Sequence, residues 1–276
     1  MADPVLKRGD KGPDVIQAVI EAQNLLNRNG AILDPDGDFG PGTDTAVREF
    51  QTAASLPVTG VIDAGTWEAL RALPEPSPDI PTRAVAFICR AEVGSRQQYD
   101  QTASRPTWPR GQSGVTIGVG YDLGQQAAFE ADWSDFLTPD QIAALKRWIG
   151  VKGEGAEAAP PTLTGITIPW HDAWIVFIRR TLPQEITTTR HAFTGWDKLP
   201  RLCLGMLVSL VYNRGASMTG DSRKEMRDIR DAVAAGSFAD VPAALRAMQH
   251  LWPVGNGLRD RREREAQLFE EGLAQG

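Results

Sequence analysis

The sequence predicts a mainly α-helical protein with one short β element, built as a small three-helix domain joined by a proline-rich linker to a larger α+β domain. Three observations carry this. Apolar residues recur at helical spacing along most of the chain, a single run at 115–122 alternates with period 2, and residues 73–81 hold four prolines in nine positions. Four prolines so close favour an extended, semi-rigid polyproline spacer. The expected division is therefore 1–73, a linker at 74–81, and 82–276.

In the first domain Val15, Ile16, Val19, Ile20 and Leu26 form one helical stripe, and Ala46, Val47, Phe50 and Ala54 form a second. Trp67 and Leu70 form a third behind Asp63, a candidate N-cap. Between the first two stripes lies Asp34-Pro-Asp-Gly-Asp-Phe-Gly-Pro-Gly-Thr-Asp44, which has the look of a calcium loop and fails its test. Phe39 stands where an EF-hand needs glycine, and Thr45 where it needs the closing glutamate, so the segment reads as a tight turn and no metal is expected.

Beyond the linker, 82–91 reads as a helix with Glu92 in its final turn. Val115, Ile117, Val119 and Tyr121 alternate with Thr116, Gly118, Gly120 and Asp122, a strand with one buried and one open face. A straight strand would hold Thr116 and Asp122 about 20 Å apart at ~3.3 Å per residue, too far to share a water. The glycines permit a bend, so a curled strand or hairpin is expected, with both side chains converging opposite Glu92. Thr138-Pro-Asp-Gln141 is a capping box opening a helix of about three turns. The stretch 150–165, rich in glycine, alanine and proline, reads as a loop. Helices are then expected at 169–182, 202–212, 223–235, 241–251 and 259–273.

Composition excludes several classes. Residues 1–75 carry 12 acidic and 6 basic side chains, while 76–276 carry 23 of each, so the net charge of −6 sits on the first quarter and argues against nucleic acid. The longest apolar run, 202–212, is shorter than the ~20 residues of a membrane span, so no stable membrane insertion is expected. Cys89 and Cys203 are too few for a disulfide framework and read as buried thiols, with one bridge between them left open. His171, His191 and His250 show no His-Glu-x-x-His spacing, and Gly118-Val-Gly120 is too short for a dinucleotide fingerprint, so no cofactor is expected. The first ten residues carry neither an apolar h-region nor a small-residue cleavage site, so no secretory signal is read there.

Glu92 and Asp122 are the carboxylate pair that glycoside hydrolysis requires. On composition alone a glutamate ending a helix is an exposed surface residue. A family resemblance tips the balance. The segments 6–15, 36–43, 46–51 and 56–63 with Thr66-Trp67 resemble the three-helix peptidoglycan-binding domain of wall hydrolases, and imply a shallow groove rimmed by Asp38, Phe39 and Thr43. Glu92, Ser113-Gly-Val-Thr-Ile-Gly-Val-Gly-Tyr-Asp122, Leu207-Val-Ser-Leu-Val-Tyr-Asn-Arg-Gly215 and 257–269 together resemble the phage-type lysozyme family in the same order.

That second resemblance implies an endolysin-like muramidase cleaving the β-1,4 bond between N-acetylmuramic acid and N-acetylglucosamine. In most of the family the catalytic aspartate precedes the Thr-Ile-Gly motif, where this chain has a Pro- and Trp-containing insert and only Asp100 is available. A pesticin-like arrangement has the aspartate just after the motif, which Asp122 matches. The implied catalytic set is Glu92, Thr116 and Asp122, with Asp100 as the fallback. Tyr121 and Asn213 are implied to contact substrate, and Arg261 or Arg262 to pair with the catalytic glutamate. The expected partner is peptidoglycan and the expected state a monomer. Synthesis in a bacterial cytoplasm is expected, with action in the periplasm or wall after holin-type release or injection.

Overall fold

The computed structural model describes residues 3–276 and is mainly helical, with twelve α-helices of five residues or more and one two-stranded sheet among the described residues. The chain divides into two compact units. One holds the residues up to Ala91 together with Gln184–Gly276, and the other holds Glu92–Pro183.

In the first unit α1 (Ile16–Arg28), α2 (Pro41–Ala53) and α3 (Ala64–Arg71) enclose a core of Leu6, Val19, Leu26, Phe39, Val47, Phe50, Ile62 and Trp67. Asp63 caps α3 as expected, accepting from the Thr66 amide. Two buried glutamines organise the turns between these helices. Gln23 Nε2 donates to Asp36 Oδ1 (2.8 Å), the Asp38 carbonyl and Thr43 Oγ1, while its Oε1 accepts from the Gly37 amide. Gln51 does the same one helix later: Nε2 donates to the Val61 carbonyl (2.8 Å) and to Thr59 and Thr66 Oγ1, and Oε1 accepts from the Thr59 and Gly60 amides. The two clamped turns, Gly37-Asp-Phe-Gly-Pro-Gly-Thr43 and Gly60-Val-Ile-Asp-Ala-Gly-Thr66, share a Gly-x-apolar-x-x-Gly-Thr pattern, and Phe39 and Ile62 occupy equivalent core positions. A glutamine amide satisfies buried backbone groups that no ladder reaches.

The proline-rich segment differs from the expected spacer. Ser77 and Ile80 are buried, and Arg201 donates through Nη2 to Glu75 and to the Ser77, Pro78 and Ile80 carbonyls at 3.1–3.4 Å. Arg190 pairs with Asp79 at 2.8 Å. A segment free in solvent would satisfy its carbonyls with water; this one is gripped by arginine side chains.

α4 (Thr82–Val93), whose residues up to Ala91 belong to this unit, meets α9 (Arg201–Arg214) at Ala84, and α9 is buried through ten consecutive positions from Leu202 to Val211. Gly205 makes their close approach possible, since a Cβ there would sit 2.3 Å from Ala84 Cβ. On another side of α9, a Cβ on Gly272 of α12 (Gly257–Gln275) would sit 2.7 Å from Cys203 Sγ. Both cysteines are buried and neither is in a disulfide; Cys203 donates to the Phe269 carbonyl, and burial pushes its pKa up to about 12. α8 (Leu182–Ala192), α10 (Lys224–Ala235) and α11 (Val241–Ala247) complete this unit's helices.

The second unit holds β1 (Thr116–Ile117), β2 (Tyr121–Asp122), α5 (Phe129–Trp133), α6 (Pro139–Lys146) and α7 (Trp170–Val176). The Thr138/Gln141 capping box forms, but α6 is eight residues long, shorter than expected. The helix expected at 169–182 instead ends at Val176 and passes through a π-helical turn, Phe177–Thr181, into α8. Pro183 is the second residue of α8, directly after the π-helical turn, where the widened turn takes in a residue that has no amide to donate.

Gly205→Ala is expected to lower stability by about 1–3 kcal/mol through overpacking against Ala84, read as a fall in denaturation midpoint. The Cys203 thiol is expected to resist a thiol reagent in the native protein at pH 8 and to react after unfolding. Its folded pKa lies above the ordinary 9.0, so its contribution to stability is complete below about pH 9 and is lost as pH rises towards 12.

Candidate functional site

Thr116 and Asp122 come together as direct register partners in the antiparallel β1–β2 pair. The hairpin turns through Gly118 and Gly120, both at positive φ (+56° and +65°), a conformation that suits glycine alone at little cost. The Leu123 amide donates to the Val115 carbonyl at 2.8 Å, just outside the Thr116–Asp122 pair, so that pair is flanked rather than joined by ladder hydrogen bonds. Side chains of such pairs stand closest. The expected hairpin is thus found.

A third segment backs it. Thr107 exchanges two backbone hydrogen bonds with Thr116, at 3.0 and 2.7 Å, and the Trp108 indole N–H donates to the Ser113 carbonyl. Both residues come from the Pro- and Trp-containing stretch that precedes Ser113. Their role was not legible in sequence, because a bridge of one residue pair leaves no alternating signature.

Asp122 is buried and fixed. Its Oδ1 accepts from the Gly114 amide (3.0 Å) and the Gly124 amide (2.8 Å), and its Oδ2 accepts from Gln125 Nε2 (2.9 Å). A carboxylate oxygen accepts about two hydrogen bonds, so Oδ1 is filled and Oδ2 retains one lone pair. The Thr116 hydroxyl is half-buried and has no hydrogen-bond partner among the described residues. Glu92 lies in the same compact unit, exposed in the last turn of α4. Asp100, the fallback, is exposed on a π-helical turn and pairs with Arg96 at 3.5 Å.

The other expected site residues differ in their surroundings. Tyr121 is 1% exposed; its ring packs edge-on to Trp133, and its hydroxyl donates to Asp132 Oδ2 at 2.8 Å. Burial foremost, then the Asp132 carboxylate, pushes the Tyr121 pKa far up. Alternation puts Tyr121 on the inner face and Asp122 on the other, so Tyr121 is a core residue and not a substrate contact. Asn213 is half-buried at the end of α9. Arg261 and Arg262 are both buried and both reach Glu265 Oε1, at 3.3 and 2.8 Å, which also accepts from Ser209 Oγ at 2.5 Å. Glu265 was not singled out in sequence, where it is one acid within a run of alternating charges.

In the N-terminal module Asp38 is exposed, but Phe39 is fully buried and Thr43 sits beneath the surface, hydrogen-bonded to Gln23. The rim expectation is corrected for both: they build the turn from inside. Among the described residues no group of three or more His, Cys, Asp or Glu side chains is placed to hold a metal ion, and no helix is long and apolar enough to cross a membrane.

Residues 16–70 match a family model described as a peptidoglycan binding domain, the span that holds α1, α2, α3 and both glutamine-clamped turns. The chain is also similar to an uncharacterised protein of the bpoA1 3' region of Kitasatospora aureofaciens, 38% identical over 69 residues. That similarity covers 25% of this chain and 57% of the relative, so the chain spans little more than half of the relative's length. The family match supports an N-terminal wall-binding domain with peptidoglycan as its partner.

Removing the Asp122 carboxylate as Asp122→Ala leaves two buried amides without an acceptor and is expected to cost about 2 kcal/mol. Thr116→Val, which removes a hydroxyl without a partner, is expected to stay within about 0.5 kcal/mol of the parent protein in the same thermal unfolding assay.

Proposed function

We propose that the protein is a peptidoglycan hydrolase, a muramidase in which a wall-binding domain delivers a lysozyme-like catalytic domain to its substrate. The observation that carries this reading is the Thr116–Asp122 pair: a fixed carboxylate with one free lone pair beside a hydroxyl without a partner, on one hairpin. Such a pair suits holding one water molecule, and the family match supplies a polymer for that water to attack.

In this mechanism Glu92, exposed and able to meet a polymeric substrate, protonates the glycosidic oxygen between N-acetylmuramic acid and N-acetylglucosamine. Asp122 and Thr116 orient water on the opposite face of the sugar. Asp122 takes its proton as the bond to the anomeric carbon forms, and the configuration inverts. The module order suits a phage endolysin acting on the wall from the periplasmic side, and an injected antibacterial toxin is the runner-up. A non-catalytic wall-binding protein is the competing class, favoured by the structural load Asp122 carries in holding Gly114 and Gly124.

Mass spectrometry of fragments released from purified sacculi decides between them. The parent protein is expected to release muropeptides with reducing N-acetylmuramic acid ends. Glu92→Gln is expected to lower release at least ~1000-fold with sacculus binding intact, a loss of about 4 kcal/mol of transition-state stabilisation. Thr116→Val is expected to lower it about 10- to 100-fold. Anhydro ends, peptide-only cleavage, or binding without release would each overturn the muramidase assignment.

A further inference from the structure

Four buried polar atoms without a hydrogen-bond partner among the described residues come from one short region of the first unit: Asn213 Oδ1, Arg214 Nε, Arg223 Nη1 and Glu225 Oε2. Buried polar atoms are normally paired, because each orphan costs about 1–3 kcal/mol. Three of them, Asn213 Oδ1, Arg214 Nε and Arg223 Nη1, point to a ligand that completes them, while the Glu225 carboxylate is opposed by the neighbouring Arg214 charge.

The framework around them is held firmly. Arg214 Nη2 donates to the Ser222 carbonyl at 2.6 Å, next to Arg223, and the Arg214 guanidinium lies 5.2 Å from the centre of the Trp252 ring. Arg227 Nη1 donates to the Met218 and Gly220 carbonyls, both at 2.9 Å, fixing the loop between Arg214 and Arg223. Arg259 anchors the Trp252 carbonyl. Glu225 Oε1 is taken by His250 Nε2 at 2.8 Å.

Charge and shape select the ligand. With Arg227 and Arg259 in the framework, four guanidiniums stand against one buried carboxylate, Glu225, so the region is cationic and suits an anionic group. Burial first, and the neighbouring Arg223 next, lower the Arg214 pKa, with Glu225 opposing them, a direction that an anion beside Arg214 would reverse. A planar carboxylate matches two arginine N–H donors, and the Trp252 face gives the site an aromatic wall. The Asn213 oxygen asks for a donor beside that carboxylate.

We infer that Asn213, Arg214, Arg223 and Trp252 form a binding site for a carboxylate flanked by an amide N–H. Two sources in a cell wall present this chemistry, an N-acetylated sugar acid and the C-terminus of an acylated peptide. The inference rests on peptidoglycan as the partner and is independent of hydrolysis.

The test is a titration of the full chain carrying Glu92→Gln, so that binding is read without turnover and fails separately from the muramidase reading. The probes are N-acetylmuramic acid and N-acetyl-D-alanine, each against its carboxamide, followed by the arginine Nε–H resonances. At least one acid is expected to shift the Arg214 and Arg223 signals saturably, with its carboxamide at least 10-fold weaker, and the acid that binds identifies the source. Arg223→Gln is expected to weaken that acid at least 10-fold with the unfolding midpoint retained, and Arg223→Lys to recover part of the loss. Equal binding of acid and carboxamide, tighter binding of inorganic phosphate, or undiminished binding by a folded Arg223→Gln protein would overturn the site.

Discussion

Burial of α9 is the constraint on which the first unit depends. A helix with apolar side chains on every face has no stripe to offer water, so it must be enclosed on all sides. The enclosure is close because glycines remove side chains where backbones meet, Gly205 towards Ala84 on one side and Gly272 towards Cys203 on another. Residues distant in sequence, from the end of the linker to the last helix, are thereby brought to one core.

The same enclosure makes polar groups expensive unless they are paired. Ser209 lies on the buried helix and Glu265 on α12, and Glu265 draws Ser209, Arg261 and Arg262 together in a region closed to solvent. Within a core, ions stripped of water cost several kcal/mol each, so this cluster holds only because its members face one another. In the wall-binding module neutral amides do the equivalent work. Gln23 and Gln51 each replace the water that a turn's backbone would otherwise bind, and the repeated turn lets one solution serve twice.

The candidate catalytic pair follows a different logic. A two-residue strand pair has little stability of its own. Here it is braced by the Thr107 bridge, the Trp108 indole and the three donors on Asp122, while Tyr121 anchors the opposite face against Trp133 and Asp132. Asp122 therefore serves the fold and the proposed chemistry together, whereas the Thr116 hydroxyl is spared from structural work.

What the sequence determined by itself is what local physics dictates. Helical stripes, the Asp63 and Thr138 caps, the apolar run at 202–212 and the glycine-permitted hairpin at 116–122 were legible because propensity, capping and periodicity act within a few residues. The family-like pattern of the first seventy residues was legible too, although Phe39 and Thr43 were read as rim because a sequence shows an aromatic in a polar turn and not which way its ring points. Tertiary structure alone decided the rest. Pro183 lies within helical backbone, directly after a π-helical turn, and the proline-rich segment is held because Arg201 and Arg190 reach it from more than a hundred residues away. Arg261, Arg262 and Glu265 form one buried cluster with Ser209, and Arg214 lies within the electrostatic reach of Arg223 and Glu225, for the same reason. Burial and pairing depend on which surfaces meet, a property of the packed chain that no short stretch of residues contains.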